Sequence, residues 1–282
     1  DQAAVDAMRT TLNRLQMAGT VVIGEGERDE APMLFIGEEV GTGDGPKIDI
    51  ALDPLEGTTI TAKGMPNGLA VLALSDAGGL LNAPDVYMDK IAAGPDVPTD
   101  AIDLDNTAAE NINNVAEAVG KDPNDVVACI LDRPRHAEMI SAVREAGARI
   151  VLIGDGDVAG VMATAMPETN IDIYMGTGGA PEGVLAAAAL RCIGGNIQGR
   201  LLFRNDDERG RAAKVGVEDL NRKYATTDLA EGDVIFAATG VTDGNMLRGV
   251  RRTGSMIFTE SVAMRARTGT VRWIRMQHPI GK

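Results

Sequence analysis

The chain has 282 residues, long enough for one large domain or two lobes, and its 44% hydrophobic and 24% charged content fits a soluble globular protein rather than a disordered one. A formal net charge of -14, with no basic stripe interleaved with aromatics, argues against nucleic acid as a partner. It leaves a phosphorylated metabolite open, because bound divalent cations invert the potential where carboxylates cluster. No apolar run is long enough to span a bilayer and no signal peptide is recognisable, so no membrane partner and a cytoplasmic location are expected. Cys129 and Cys192 lie inside apolar runs and read as buried thiols of a reducing compartment.

Ala4, Val5, Met8, Leu12 and Leu15 recur at three- and four-residue spacing and predict an amphipathic helix ending before Gly19, with Asp1 as a cap at its N-terminus. Residues 20–23 are a short apolar strand, followed at once by Gly24-Glu25-Gly26-Glu27-Arg28-Asp29-Glu30. That loop reads either as a solvated turn or as a metal-ligand loop carrying Glu25. Residues 47–52 alternate and then turn fully apolar, a strand entering a core, and lead into Asp53-Pro54-Leu55-Glu56-Gly57-Thr58-Thr59. Pro54 removes a donor and is expected to end the ladder there, while Gly57 permits close approach of a ligand. Asp53 and Glu56 can supply hard oxygen ligands to Mg2+ or Mn2+. The N–H groups of Gly57 and Thr58 and the threonine hydroxyls can hold phosphate oxygens. The plain alternative is an acidic strand-to-helix turn capped by Thr58 or Thr59.

Residues 68–75 read as a strand, and 82–88 as a loop and possible strand that offers Tyr87 to a ligand or to packing. Residues 103–120 read as a helix stopped by glycine. The turn at 121–125 marks the boundary between a first lobe, residues 1–122, and a second, residues 123–232. From there strands at 126–131, 148–153 and 171–175 alternate with helices near 137–146, after Asp157, and at 181–193. This is the βαβ grammar of a parallel three-layer lobe, whose ligands sit beyond the carboxyl ends of strands. Three polar clusters fall at such ends: Asp132-Arg133-Pro134-Arg135-His136, Gly154-Asp155-Gly156-Asp157, and Gly178-Gly179-Ala180-Pro181-Glu182-Gly183. Arg133 and Arg135 flank a proline, so they form either an extended phosphate clamp or plain surface arginines. Glu182, in the first turn of a helix, can ligate a metal or simply favour the helix dipole.

Gly154 to Ala159 also matches G-x-G-x-x-A, with Asp172 further on, but two aspartates inside the turn would repel a pyrophosphate; a nicotinamide or flavin site is the minor alternative. Neither His136 nor His278 has partners at metal-ligand spacing, which argues against a zinc site or a histidine-based triad. Residues 204–232 are charged and irregular and yield no assignment. Strands at 233–238, 255–263 and 270–276, with a hairpin-like turn at 265–269, form a third segment, residues 233–282, expected to pack back on the first two.

Taken together, Val22-Ile23-Gly24-Glu25-Gly26-Glu27, Asp53 to Thr58, Asn82-Ala83-Pro84-Asp85, Arg133-Pro134-Arg135-His136, residues 154–157 and residues 178–184 resemble the class II fructose-1,6-bisphosphatase family, within the lithium-sensitive, metal-dependent phosphatase superfamily. The resemblance covers nearly the whole chain. D-P-x-E-G-T alone points to the superfamily; with G-G-A-P-E-G and P-R-H it separates this family from inositol monophosphatases, whose W-D-x-x-A-G motif is absent here.

The resemblance implies an α/β fold, a layered α-β-α-β-α sandwich of two lobes, and hydrolysis of D-fructose 1,6-bisphosphate to fructose 6-phosphate and phosphate. It implies metal ligands at Asp1, Glu25, Asp53, Glu56 and Glu182, holding Mg2+ or Mn2+. Substrate contacts would fall on Glu56, Gly57, Thr58, Tyr87, Arg133, Pro134, Arg135, Asp155, Gly156, Asp157 and Gly179. The arginines suit the phosphate that is not cleaved, the aspartates the sugar hydroxyls. Thr58, with Glu25 as partner, would help activate the attacking water. The family also implies a homo-oligomer, tetramer or dimer, and a further segment ahead of Asp1. Competing readings are a sedoheptulose 1,7-bisphosphatase, an inositol phosphatase, and a non-catalytic sugar-phosphate sensor.

Overall fold

The computed structural model describes residues 2–26 and 33–281. Its strands in chain order are β1 (Ala18–Ile23), β2 (Glu39–Val40), β3 (Lys47–Glu56), β4 (Leu69–Asp76), β5 (Tyr87–Ala93), β6 (Val127–Leu131), β7 (Arg149–Ile153), β8 (Ile173–Gly179), β9 (Asn196–Leu202), β10 (Lys223–Ala225), β11 (Ile235–Gly240), β12 (Arg251–Thr253), β13 (Met256–Arg265) and β14 (Thr270–Pro279). The helices are α1 (Gln2–Leu12), α2 (Thr58–Ala62), α3 (Ala108–Val119), α4 (Ala137–Glu145), α5 (Asp157–Ala163), α6 (Ala180–Ile193), α7 (Asp206–Lys214) and α8 (Thr226–Leu229).

The strands make two sheets. One has the order β12-β13-β11-β4-β3-β1-β2, with β14 also on β13; the other has the order β10-β9-β5-β8-β6-β7. Side chains alternate across each strand, so both faces of each sheet are apolar and both must be covered. In β5, Met88 and Ala92 join the core between the sheets, whereas Ile91 and Ala93 join the core under α3 and α4. In β3, Ala51 faces the inter-sheet core, while Ile50 and Leu52 pack with Val5 and Leu12 of α1. The result is α1, sheet, α5 with α6 and α8, sheet, α3 with α4: the five-layer α-β-α-β-α sandwich the family resemblance implies. Helix α6 is buried from Gly183 to Leu190 and alanine-rich, as a helix between two sheets must be if both are to approach it closely.

Several local readings change. Pro54 does not end its ladder: β3 continues to Glu56 through a register shift, Asp53 pairing Val71 and Glu56 pairing Leu69. A bulge accommodates the missing N–H and lets both acids stay on the strand. The second sheet is mixed rather than parallel. β6 runs parallel to β7 and β8, but β5 and β10 are antiparallel to β9, and β5 to β8. The chain enters this sheet at β5, earlier than the turn at 121–125. Residues 204–232 are not irregular but hold α7, β10 and α8; the charges sit on the exposed face of α7, while Glu208 and Ala212 are buried. The helix read over 103–120 starts at Ala108, where Thr107 and Glu110 form a capping box, and it stops at Gly120 in the left-handed region.

Candidate active site

β1, β3, β6, β7 and β8 deliver their later residues or the loops after them, and β5 its start, to one cavity of about 550 Å3. Its wall carries six carboxylates (Glu25, Asp53, Asp85, Asp155, Asp157, Glu182) and four arginines (Arg133, Arg135, Arg204, Arg211). Of the residues singled out in the sequence, Tyr87 and Gly179 also line it. Glu56 lies behind the wall, 2% exposed, with Oε1 accepting from the Val158 N–H at 3.1 Å. Gly57 and Gly156 both adopt the left-handed region (φ 83 at each), and a Cβ on Gly156 would stand 3.4 Å from Glu56 Oε2. Those glycines let the two acidic turns close on one another. Thr58, the first residue of α2, is exposed and is not part of the cavity wall, and neither is Pro134. Asp1 lies outside the described residues.

The acids crowd one another. Burial, then the charge of Glu182, pushes Asp53 up to about 7. Burial, then Asp157, does the same to Glu182, also to about 7. Glu56 is raised well above the ordinary carboxylate range by burial and then by Asp157 and Asp53, and Glu25 is raised by desolvation. Desolvation and like-charge repulsion both penalise the ionised forms, and against them stands the buried Lys90. Lys90, 1% exposed, pairs with Asp157 and donates to the Gly179 carbonyl at 2.9 Å. Sequence reasoning missed it. The available signal was a lysine inside the otherwise apolar run after Asp89, on the same strand face as Met88 and Ala92.

These residues fit a divalent cation. Glu56 Oε2 is buried with no hydrogen-bond partner among the described residues, and an orphaned carboxylate oxygen beside three further acids is what a hard cation satisfies. Among the described residues no three acidic, histidine or cysteine side chains already stand as a preformed ion-holding group. The fit therefore rests on the donor chemistry and the orphaned oxygen.

The arginines gather elsewhere on the wall, around Tyr87. The guanidinium of Arg135 lies 5.0 Å from the ring centre and that of Arg204 4.8 Å. Arg133 donates to the Asp132 and Gly154 carbonyls and pairs with Asp155 at 3.5 Å, while Arg135 donates to the Thr177 carbonyl. His136 is buried as a brace: Nδ1 meets the Leu131 carbonyl at 2.7 Å and Nε2 accepts from the Thr177 N–H at 2.9 Å, holding the Arg-Pro-Arg turn against β8. Asp172, which a dinucleotide site would need, is occupied by Lys121 and the Val127 N–H.

The family model described as bacterial fructose-1,6-bisphosphatase, glpX-encoded, matches residues 1–278. The chain belongs to that family. Among curated relatives, fructose-1,6-bisphosphatase 1 class 2 of Escherichia coli (strain K12) is 46% identical over 292 residues, covering 99% of this chain and 86% of its own. The class 2 enzymes of Escherichia coli O6:H1 and Shigella flexneri match to the same extent. For a class 2 fructose-1,6-bisphosphatase the division of the wall into carboxylates and arginines has a direct sense, since the family is metal-dependent and its substrate carries two anionic ends. Arg204 and Arg211, in the stretch left without a function, are the lining arginines of this family member that its sequence did not disclose. An arginine on or just before a charged surface helix carries no local mark that it reaches a cavity.

Proposed function

We infer that the chain hydrolyses D-fructose 1,6-bisphosphate to fructose 6-phosphate and phosphate, a gluconeogenic step. It is a phosphoric monoester hydrolase. The observation that carries this reading is the union, in one cavity, of a crowded carboxylate group with an orphaned Glu56 oxygen and an arginine group beside it.

Glu25, Asp53, Glu56 and Glu182, with Asp1, would hold the cations, Mg2+ or Mn2+. When bound there, a divalent cation supplies charge neutralisation for the phosphoryl oxygens and lowers the pKa of a water. Glu25 orients that water, and Thr58 assists by hydrogen bonding, its hydroxyl being too weak an acid to act alone. This role for Thr58 requires its side chain to turn from solvent toward the substrate. Arg133 and Arg135 hold the remote phosphate and convert binding energy into orientation. Asp155 and Asp157 take sugar hydroxyls, and the ion pair with Lys90 holds Asp157 in place. Two free buried cysteines, Cys129 and Cys192, support a reducing, cytoplasmic setting. No helix among the described residues is long and apolar enough to cross a membrane. The long outer edge of β14, unpaired among the described residues, supports a homo-oligomer.

The test is phosphate release from fructose 1,6-bisphosphate with Mn2+, Mg2+ or chelator, beside sedoheptulose 1,7-bisphosphate, inositol 1-phosphate and a Glu56→Gln variant. Metal-dependent turnover of the fructose bisphosphate, preferred over the other two and abolished by the variant, supports the reading. Metal-dependent binding without turnover would replace it with a sugar-phosphate sensor.

A further inference from the structure

The two arginines that the motifs mark, Arg133 and Arg135, have much of their donor capacity engaged by protein carbonyls and by Asp155. Of the two they do not mark, Arg204 is paired with Glu208 and Arg211 is in no ion pair among the described residues. Arg211, on α7, gives Nη2 to the Asp85 carbonyl at 2.9 Å, but its Nε is buried with no hydrogen-bond partner among the described residues. Arg204 is anchored by Glu208, itself 1% exposed, whose Oε2 accepts the Arg204 N–H at 2.6 Å and whose Oε1 accepts Nε at 2.7 Å. That anchor presses the Arg204 guanidinium onto one side of Tyr87 while Arg135 approaches the same ring, so two like charges are held about one aromatic. Neither Arg135 nor Arg211 has an ion pair among the described residues. A buried donor without a partner, in a cavity wall where like-charged cations converge, is a site arranged for an anion that the protein itself does not supply. A phosphate monoester, carrying about -1.5 to -2 at neutral pH with three acceptor oxygens, matches it.

We propose that Arg204 and Arg211 are specificity-determining residues: from the α7 segment they close the arginine group around Tyr87, bind the phosphate that is not cleaved, and make the enzyme select a bisphosphate over a monophosphate. The inference rests on the functional reading above. Because the discrimination comes from donors left empty when the second phosphate is missing, it is strong on the correct substrate and weak on a truncated one. Glu208 is a positioning residue that acts through Arg204.

The experiment compares the unaltered chain with Arg211→Ala, Arg211→Lys and Arg204→Gln on fructose 1,6-bisphosphate and on fructose 1-phosphate. It also measures binding of fructose 6-phosphate to each by calorimetry. The ratio of kcat/KM for the bisphosphate to that for the monophosphate falls about tenfold or more in each variant, mainly through KM, and fructose 6-phosphate binding weakens in parallel. Arg211→Lys keeps the charge without the planar fork and falls between the unaltered chain and Arg211→Ala. An unchanged ratio with unchanged fructose 6-phosphate binding in Arg204→Gln and Arg211→Lys, the milder substitutions, overturns the proposal. If the unaltered chain releases no phosphate, the hydrolase reading falls, and Arg211-dependent binding of fructose 6-phosphate then keeps only the phosphate-binding part of the proposal.

Discussion

Glu56 is held by opposing requirements. Buried and crowded by Asp157 and Asp53, it destabilises the metal-free fold, yet its orphaned oxygen is what a cation needs. Glu56→Gln keeps an oxygen for the Val158 N–H while removing the charge. Turnover should fall by about a hundredfold or more, whereas the metal-free protein should gain on the order of 1 kcal/mol, seen as a Tm higher by a few degrees in chelator. A drop in both would show that the carboxylate is structural. Lys90 presents the reverse case. Lys90→Met leaves Asp157 buried without its partner, and chemical denaturation should register a loss of ~3–5 kcal/mol. Thr58→Ala should lower kcat strongly and KM little; equal behaviour of a remote surface variant would remove Thr58 from the reaction. At this scale the acids were legible because each sits beside glycine or proline at a strand end or in the first turn of a helix. Lys90 and Arg211 were not, because what they do depends on partners 67 and 126 positions away in the chain.

At the scale of the element, caps and bulges decide where the chemistry can stand. The Thr107–Glu110 capping box starts α3 well away from the cavity, so Thr107→Ala should cost about 1 kcal/mol in thermal unfolding and leave kinetic constants unchanged. The β3 bulge is more consequential: it absorbs Pro54 and keeps Asp53 and Glu56 on one strand while shifting their register against β4. Strand and helix positions were readable from period-two and 3.6-residue patterns, and the glycine stop of α3 from one residue. Helix α7 escaped that reading because only Glu208 and Ala212 are buried on it, too few to show a period, and one of them is a charge neutralised by Arg204.

For the whole molecule, the cavity acids set the pH response. Asp53 and Glu182, raised to about 7, favour the folded metal-free state most below the ordinary carboxylate values and give that contribution up as pH rises through 7. His136, lowered by desolvation, and Asp103, Glu208 and Asp233, lowered by their basic partners, have the opposite sign and lose their contribution as pH falls. Between about pH 6.5 and 8 the first pair therefore dominates. In chelator the Tm should decline across that window, and saturating Mn2+ should flatten the decline; a flat curve without metal would mean the acids do not share a desolvated site. The ten-residue edge of β14, with Trp273 48% and Met276 47% exposed, is the surface a second copy would cover. Trp273→Glu should lower the mass seen by light scattering if that edge joins copies.

The sequence by itself determined the α/β class, the family, and the acidic turns, because period, glycine placement and motif words are local properties that survive without a fold. Only the tertiary structure decided that the second sheet is mixed, that Lys90 meets Asp157 from within a strand, and that arginines at a surface helix reach the cavity. Strand direction and charge pairing arise from contacts between segments distant in the chain, and no local pattern encodes which distant partner a buried charge will meet.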